Sequence, residues 1–407
     1  MTNIMDNSRS RSFLIIITVA IYVAFGLVTS VIGVIIDKFQ LQYNVSLNIA
    51  ALLPFAFYLS YGIFSVPFGV QMDRIGAKAV LIIGMVLMTL GCFLLYLSNN
   101  YILVISMIFM AGIGVTAIQT AGNPFIRELD SPSRYTANLT IIIGIGALGY
   151  AFSPLLVPYI QSKGLPWSHV YLIFGIISLI LLLLLLAARI PKVTLLEEEK
   201  INVAAIKALL KEPIIIIYTL GIFFYVGAEV GTSSYILVFM DKVHSFGNNV
   251  SLWNKGTFMY QSFPSASALV VGLFWLFQAI GRLIIGQLMK YFKPRSIFIF
   301  HSAGTCVALI VAIISPAKVA LVAFALTGYF TCASFTSIFS ATIQSFDKYH
   351  GAISGILCTA IVGGAVIGFL VGSVGNTFGM QIAMIVNLAA FLYVFAISVW
   401  GKGRLNI

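Results

Sequence analysis

The sequence predicts an all-α membrane protein with twelve transmembrane helices in two six-helix pseudo-repeats. Three observations carry that prediction. First, 60% of the 407 residues are hydrophobic and only 9% are charged, more apolar surface than a water-soluble domain can hide. Second, the apolar residues fall into runs long enough to cross ~30 Å of hydrocarbon, some with tilt. Third, the Lys and Arg residues alternate sharply from one set of connections to the other, as positive-inside topology requires.

Taken in order, the spans are 13–36, 48–71, 79–97, 101–125, 137–160, 169–189, 214–239, 265–289, 295–315, 317–341, 351–374 and 379–400. The basic Met1–Arg11 precedes the first run. That run is too long for a signal-peptide core and has no clear cleavage site, so it reads as a membrane helix. An even number of spans puts both termini on one side. With that side inside, seventeen of the 23 Lys and Arg residues face the cytoplasm and five face out, leaving Arg282 within the eighth span. The expectation is a multi-pass protein of the plasma or inner membrane with both termini cytoplasmic. The same bias accounts for the net charge of +11 without a nucleic-acid partner. Its first expected partner is then a lipid bilayer, and the chain is expected to be a monomer.

The longest inner connection, 190–211, carries KVTLLEEEKINVAAIKALLK. It divides the chain into an N-terminal bundle (1–189) and a C-terminal bundle (212–407), with a short surface helix expected near Asn202–Leu210. The outer connection 241–264 is polar and carries Trp253 and Tyr260. Cys92, Cys306, Cys332 and Cys358 all lie in apolar runs and read as small core residues. No His, Cys or carboxylate set has metal-ligand or catalytic spacing, so no cofactor, metal or enzymatic activity is expected. His301 reads as a packing residue of span nine; His169, His244 and His350 fall in outer regions or at an inner helix end.

The seventh span holds Phe223–Tyr235, FFYVGAEVGTSSY, with Glu229 at its centre. A carboxylate at membrane depth is costly and marks a functional site by default. The plainer reading is an ion pair or hydrogen bond between helices. Tyr225 lies one turn away on the same face; Ser234 shares that face only in part, and Tyr235 follows. Small polar residues also serve close helix packing, which is the plainer role for Ser234 and for Gly144, Gly146 and Gly149.

The halves read as a repeat. Gly69-Val-Gln-Met-Asp73-Arg74-Ile-Gly76-Ala-Lys78 lies between spans two and three, and Gly286-Gln-Leu-Met-Lys290-Tyr-Phe-Lys293-Pro-Arg295 between spans eight and nine. Gly69 suits close packing, Gly76 a sharp turn, and the charges can meet neighbouring helix ends. This GxxxDRxGxK pattern resembles the signature loop of the major facilitator superfamily, and the resemblance covers the whole chain. It implies the major facilitator fold, alternating access, and a cytoplasmic gate that includes Gly69, Asp73, Arg74 and Lys78. Arg282 is placed in that gate too, towards the inner end of span eight.

Four further stretches resemble the fucose/glucose/galactose:proton symporter branch of that superfamily. They are Gln119-Thr-Ala-Gly-Asn123-Pro124, Phe224–Glu229 with Ser233-Ser234-Tyr235, Ile280-Gly281-Arg282, and His350-Gly351 through Gly363-Gly364. The chain also departs from the branch. Gln119 stands where the branch has its helix-four carboxylate, and Gly33 where it has its helix-one carboxylate, with Thr29 and Ser30 replacing a pair of asparagines. Ile143, Gly144, Ile145 and Gly146 replace the amides of helix five, and Glu229 replaces a glutamine. The expected cavity is therefore more apolar than that of the branch, with Glu229, Gln119, Tyr225, Asn123, Ser234, Tyr235 and Thr29 as candidate solute or proton groups. Gln119 either faces the cavity or bonds a neighbouring helix, and Asn123-Pro124 reads first as structural.

A channel would need a charged ring or carbonyl filter, and a nucleotide-driven pump GxxxxGK[ST]; neither pattern occurs. The reading is a secondary transporter importing a sugar or sugar-like solute with a proton. The alternatives are export of an amphipathic solute and uncoupled facilitation.

Overall fold

The computed structural model describes residues 8–45, 47–50, 52–128, 132–188, 203–245 and 266–400, and among them it is helical throughout, without strands. Among the described residues twelve spans are long and apolar enough to cross a membrane. They are α1 (Ser12–Ile36), α2 (Leu52–Ile75), α3 (Ala77–Tyr96), α4 (Tyr101–Arg127), α5 (Tyr135–Ser153) and α6 (His169–Ala187), followed by α7 (Pro213–His244), α8 (Val270–Leu288), α9 (Pro294–Ile314), α10 (Ala317–Gln344), α11 (His350–Phe378) and α12 (Met380–Trp400).

The hydrophobic pattern sets these elements, and local signals set their ends. Gly76 has φ +88°, so α2 turns into α3 through one residue, which a side chain would resist. Pro213 and Pro294 occupy first-turn positions of α7 and α9, where the missing N–H is an orphan in any case. Two spans are interrupted. The helix of α10 breaks between Thr331 and Ser334, and α11 passes through a 3₁₀ turn at Ala360–Val362. The expected surface helix is present as Val203–Leu209. Residues 190–202 of the inner connection and 246–264 of the outer one lie outside the described residues.

Packing follows the repeat. In the first six spans α1 packs on α5 and α6, α4 on α2 and α3, and α3 on α6. In the last six α7 packs on α11 and α12, α10 on α8 and α9, and α9 on α12. Each contact recurs with the span number raised by six. Across the halves α2 meets α11, and α5 meets α8. The outward faces of α3, α6 and α9 leave Leu90, Leu94, Leu183, Phe300 and Ile314 exposed, as suits a surface solvated by lipid.

The seam between halves is tight at one end. Gly69 of α2 lies directly against the backbone of Gly351 in α11; a methyl group there would collide with the facing carbonyl. Thr136 Oγ1 donates to Ser340 Oγ at 2.9 Å, and Thr140 Oγ1 to Thr336 Oγ1 at 2.9 Å, tying α5 to α10. Ser354 Oγ donates to the Thr120 carbonyl at 2.6 Å, tying α11 to α4. All these residues lie towards the end of the bundle that the charge bias assigns to the cytoplasm.

Candidate functional site

Glu229 sits on α7 with its side chain almost wholly buried. Tyr225, one turn earlier on the same helix, donates its hydroxyl to Glu229 Oε1. Facing them on α8, Gln278 Nε2 donates to the same oxygen and also approaches Thr331 Oγ1 at 3.2 Å. One turn further along α8, the guanidinium of Arg282 stands 3.5 Å from Glu229 Oε1. Gln278 and Arg282 share a face because they are four residues apart on one helix. Thr331, the last residue before the break in α10, donates its own hydroxyl to the Gly328 carbonyl at 2.8 Å, which leaves its oxygen to accept from Gln278. The result is a buried ion pair whose carboxylate accepts two further hydrogen bonds, the geometry an ion pair needs to survive at membrane depth.

Of these groups Tyr225, Glu229 and Arg282 line a central cavity of about 80 Å³ between the two halves, with Gln278 and Thr331 packed behind them. From the first half come Tyr22, Phe25 and Thr29 on α1, Tyr58 and Tyr61 on α2, Gln119 on α4, and Ile143, Gly146 and Tyr150 on α5. Trp275 of α8 stacks on Tyr150 with ring centroids 5.4 Å apart, joining the halves through an aromatic contact. The first half brings neutral hydrogen bonds to the cavity. Tyr61 Oη donates to Gln119 Oε1 at 2.8 Å, and Tyr22 Oη to Asn123 Oδ1 at 2.5 Å. Thr29 Oγ1 turns back to its own helix, donating to the Phe25 carbonyl at 2.8 Å.

Several residues fall elsewhere than the sequence suggested. Arg282 is not at the inner gate: it is in the cavity, paired with Glu229. Spacing from the helix end suggested otherwise, but the neighbour on α5 is Gly144, where even a Cβ would come within 2.8 Å of the Arg282 Cβ. The missing side chain lets α8 approach closely and its arginine turn inward. Lys78 of the gate motif meets a neighbouring helix end within its own half. Its Nζ donates to the Ala188 carbonyl at 2.5 Å, at the C-terminal end of α6 in its own half, where a cation complements the helix dipole. Ser234 is exposed and Tyr235 lies against Gly372 of α11; neither lines the cavity. Asn123 reaches it only through Tyr22. The cavity, expected to be more apolar than that of the branch, carries phenolic hydroxyls. Tyr22, Tyr58, Tyr61, Tyr150 and Tyr225 replace the missing amides with phenols.

At the end that the charge bias assigns to the cytoplasm, Asp73 is hydrogen-bonded to α11 of the other half. Its Oδ1 accepts from the Gly351 N–H at 2.9 Å and its Oδ2 from the Ala352 N–H at 2.8 Å. Both donors are orphan amides of the first turn of α11, where a carboxylate also meets the positive end of the helix dipole. Arg127 Nη1 lies 3.1 Å from the His350 ring nitrogens beside it. Arg74 is exposed.

Sequence reading missed Gln278 and the phenols of α1, α2 and α5. Gln278 carried a signal: it is an amide in an apolar run, one turn from an arginine in the same run. Single tyrosines in membrane helices carry none, since they pack as readily as they line cavities. Among the described residues no group of His, Cys, Asp and Glu is placed to hold a metal.

Comparison with known proteins bears on the fold and the family. A glucose/galactose transporter of Brucella abortus is 23% identical over 406 residues, covering 96% of this chain and 94% of its own. The L-fucose-proton symporter of Escherichia coli is 22% identical over 430 residues, covering 96% and 94%. Among solved structures, the major facilitator superfamily transporter FucP in its outward conformation superposes with a TM-score of 0.80 at 19% identity, covering 96% of this chain and 99% of that one. The family profile of the Major Facilitator Superfamily matches residues 18–264, more than half of the chain, and the chain belongs to that superfamily.

Proposed function

We propose that the chain is a secondary active transporter that imports a sugar or sugar-like solute together with a proton by alternating access. The observation that carries this reading is the Glu229–Arg282 pair in an aromatic, phenol-rich cavity between two pseudo-repeats. The relatives named for glucose, galactose and fucose support the solute class. The Tyr150–Trp275 stack offers a flat apolar face for a sugar ring, and Gln119 and the phenols offer hydroxyl partners. A cavity of about 80 Å³ holds a few waters rather than a hexose, so loading requires the halves to part. The seam of Gly69, Asp73 and α11 closes the inner end, leaving the outer end as the side of entry.

In this reading two bundles, residues 1–189 and 212–407, rock about the central site, with the 190–211 connection between them. The termini lie in the cytoplasm, the chain works as a monomer in the plasma or inner membrane, and no chemical step is catalysed. Glu229 carries the proton. Protonation removes the charge that Arg282 neutralises, so proton binding, ion-pair opening and solute binding are linked; such a differential is what coupling requires.

The ion pair also favours a second reading, in which Glu229 never titrates and the protein is an uncoupled facilitator. Proton and labelled-sugar flux measured in the same proteoliposomes separates the two. An inward pH gradient is expected to drive sugar uptake above equilibrium. Equilibrating uptake with no proton flux selects the facilitator.

A further inference from the structure

The two full charges lining the cavity, Glu229 and Arg282, cancel. That balance constrains what enters with a proton. We infer that the transported sugar carries a carboxylate, and that it enters with one proton and no net charge; this rests on the sugar:proton reading above.

When Glu229 is ionised the pair is neutral and the site needs no further charge. When Glu229 takes up a proton, Arg282 remains cationic, 6% exposed and without its counter-charge. An unpaired buried charge is strongly unfavourable, and among the described residues no neighbouring group replaces the lost anion. The titratable groups described around the pair are Tyr225 on its own helix, Cys332 of α10, Tyr150 of α5 and Tyr58 of α2. All four are neutral phenols or thiols rather than carboxylates. A neutral hexose offers hydroxyls but no charge, so its binding leaves the imbalance in place. A sugar carboxylate removes it and matches the planar fork of a guanidinium. One buried atom of a cavity-lining residue is set for such a solute. Arg282 Nε is enclosed and without a hydrogen-bond partner, a spare donor for a carboxylate oxygen.

The wild-type protein in proteoliposomes tests this with labelled glucuronate, lactate, glucose and L-fucose under an inward proton gradient. Membrane potential is set separately by potassium and valinomycin. Glucuronate is expected to accumulate above equilibrium at a rate unchanged by the potential, because a monoanion and a proton enter together. Accumulation of glucose or L-fucose without glucuronate, accelerated by a negative interior, overturns the inference and leaves the sugar:proton reading standing. Accumulation of lactate alone, or of none of the four, overturns both. Binding gives a second measurement that needs no turnover. Glu229→Gln fixes the site in its protonated charge state, so calorimetry in detergent should show glucuronate bound roughly tenfold more tightly than by wild type. Glucose, which carries no charge, should show no such gain. Equal or weaker glucuronate binding by Glu229→Gln overturns the inference even where the variant does not transport.

Discussion

The two halves of this protein repeat the same helix packing, yet they bring opposite chemistry to the cavity between them. The first half presents neutral pairs, Tyr61 with Gln119 and Tyr22 with Asn123. The second presents charge, Glu229 with Arg282, braced by Tyr225 and Gln278. Fold symmetry governs which helices touch, because it comes from backbone shape and glycine positions. It does not govern which half carries the charge. A neutral pair at membrane depth is cheap to keep and cheap to break, whereas a buried ion pair resists the loss of either partner alone. Binding energy in the first half and coupling in the second is the division this difference implies.

The largest effect expected comes from breaking the pair on one side. Arg282→Ala leaves Glu229 buried and unpaired, and should cost about 3–5 kcal/mol, seen as a lowered melting midpoint in detergent and loss of uptake. Adding Glu229→Gln to that variant should recover most of the stability and none of the uphill transport. If Arg282→Ala melts with wild type, the charged half is no more constrained than the neutral half and the contrast fails.

Glu229→Gln alone keeps the size and hydrogen bonding of the side chain. Accumulation driven by a pH gradient should disappear, while exchange of solute down its own gradient persists. Counterflow set beside uphill uptake in one vesicle preparation reads this directly. Uphill uptake with wild-type proton flux would remove Glu229 as the coupling group.

Asp73→Asn probes the inner seam rather than the cavity. Two charge-assisted hydrogen bonds to α11 weaken, each worth about 1.5–3 kcal/mol, and the inner gate opens more readily. Maximal uptake rate should fall about tenfold with half-saturation nearly unchanged, because gates bias the conformational equilibrium and leave the site intact. A large affinity loss at constant maximal rate would place Asp73 in the binding machinery.

The smallest effects belong to the neutral half. Tyr61→Phe removes one ordinary hydrogen bond, about 1 kcal/mol, and should weaken solute affinity a few-fold without altering proton stoichiometry. Gln119→Glu sharpens the comparison further by giving the first half its own titrating group, and should add a second step to the pH profile of uptake. An unchanged profile would show that charge at position 119 does not reach the transport cycle.

The fold was legible because its causes are local. Apolar runs of membrane-spanning length, a one-residue turn at Gly76 and the split of basic residues between connections are all properties of short stretches. The repeat was legible at Gly69–Lys78 for the same reason, and the need for a partner or a function at Glu229 followed from the cost of a carboxylate in hydrocarbon. What that partner is did not follow. Arg282 lies 53 positions along the chain, and its distance from the end of α8 pointed to the gate. Only the close approach of α8 to Gly144, and the facing of α8 against α7, turn it into the cavity. Tertiary packing likewise chose the phenols of α1, α2 and α5 over Ser234 and Tyr235, because which side of a uniformly apolar helix faces inward is set by its neighbours and not by its own pattern. Asp73 shows both levels at once. Its motif marks a charged turn, but the amides that it caps belong to α11, and a hydrogen bond spanning that much chain exists only when the two halves are docked.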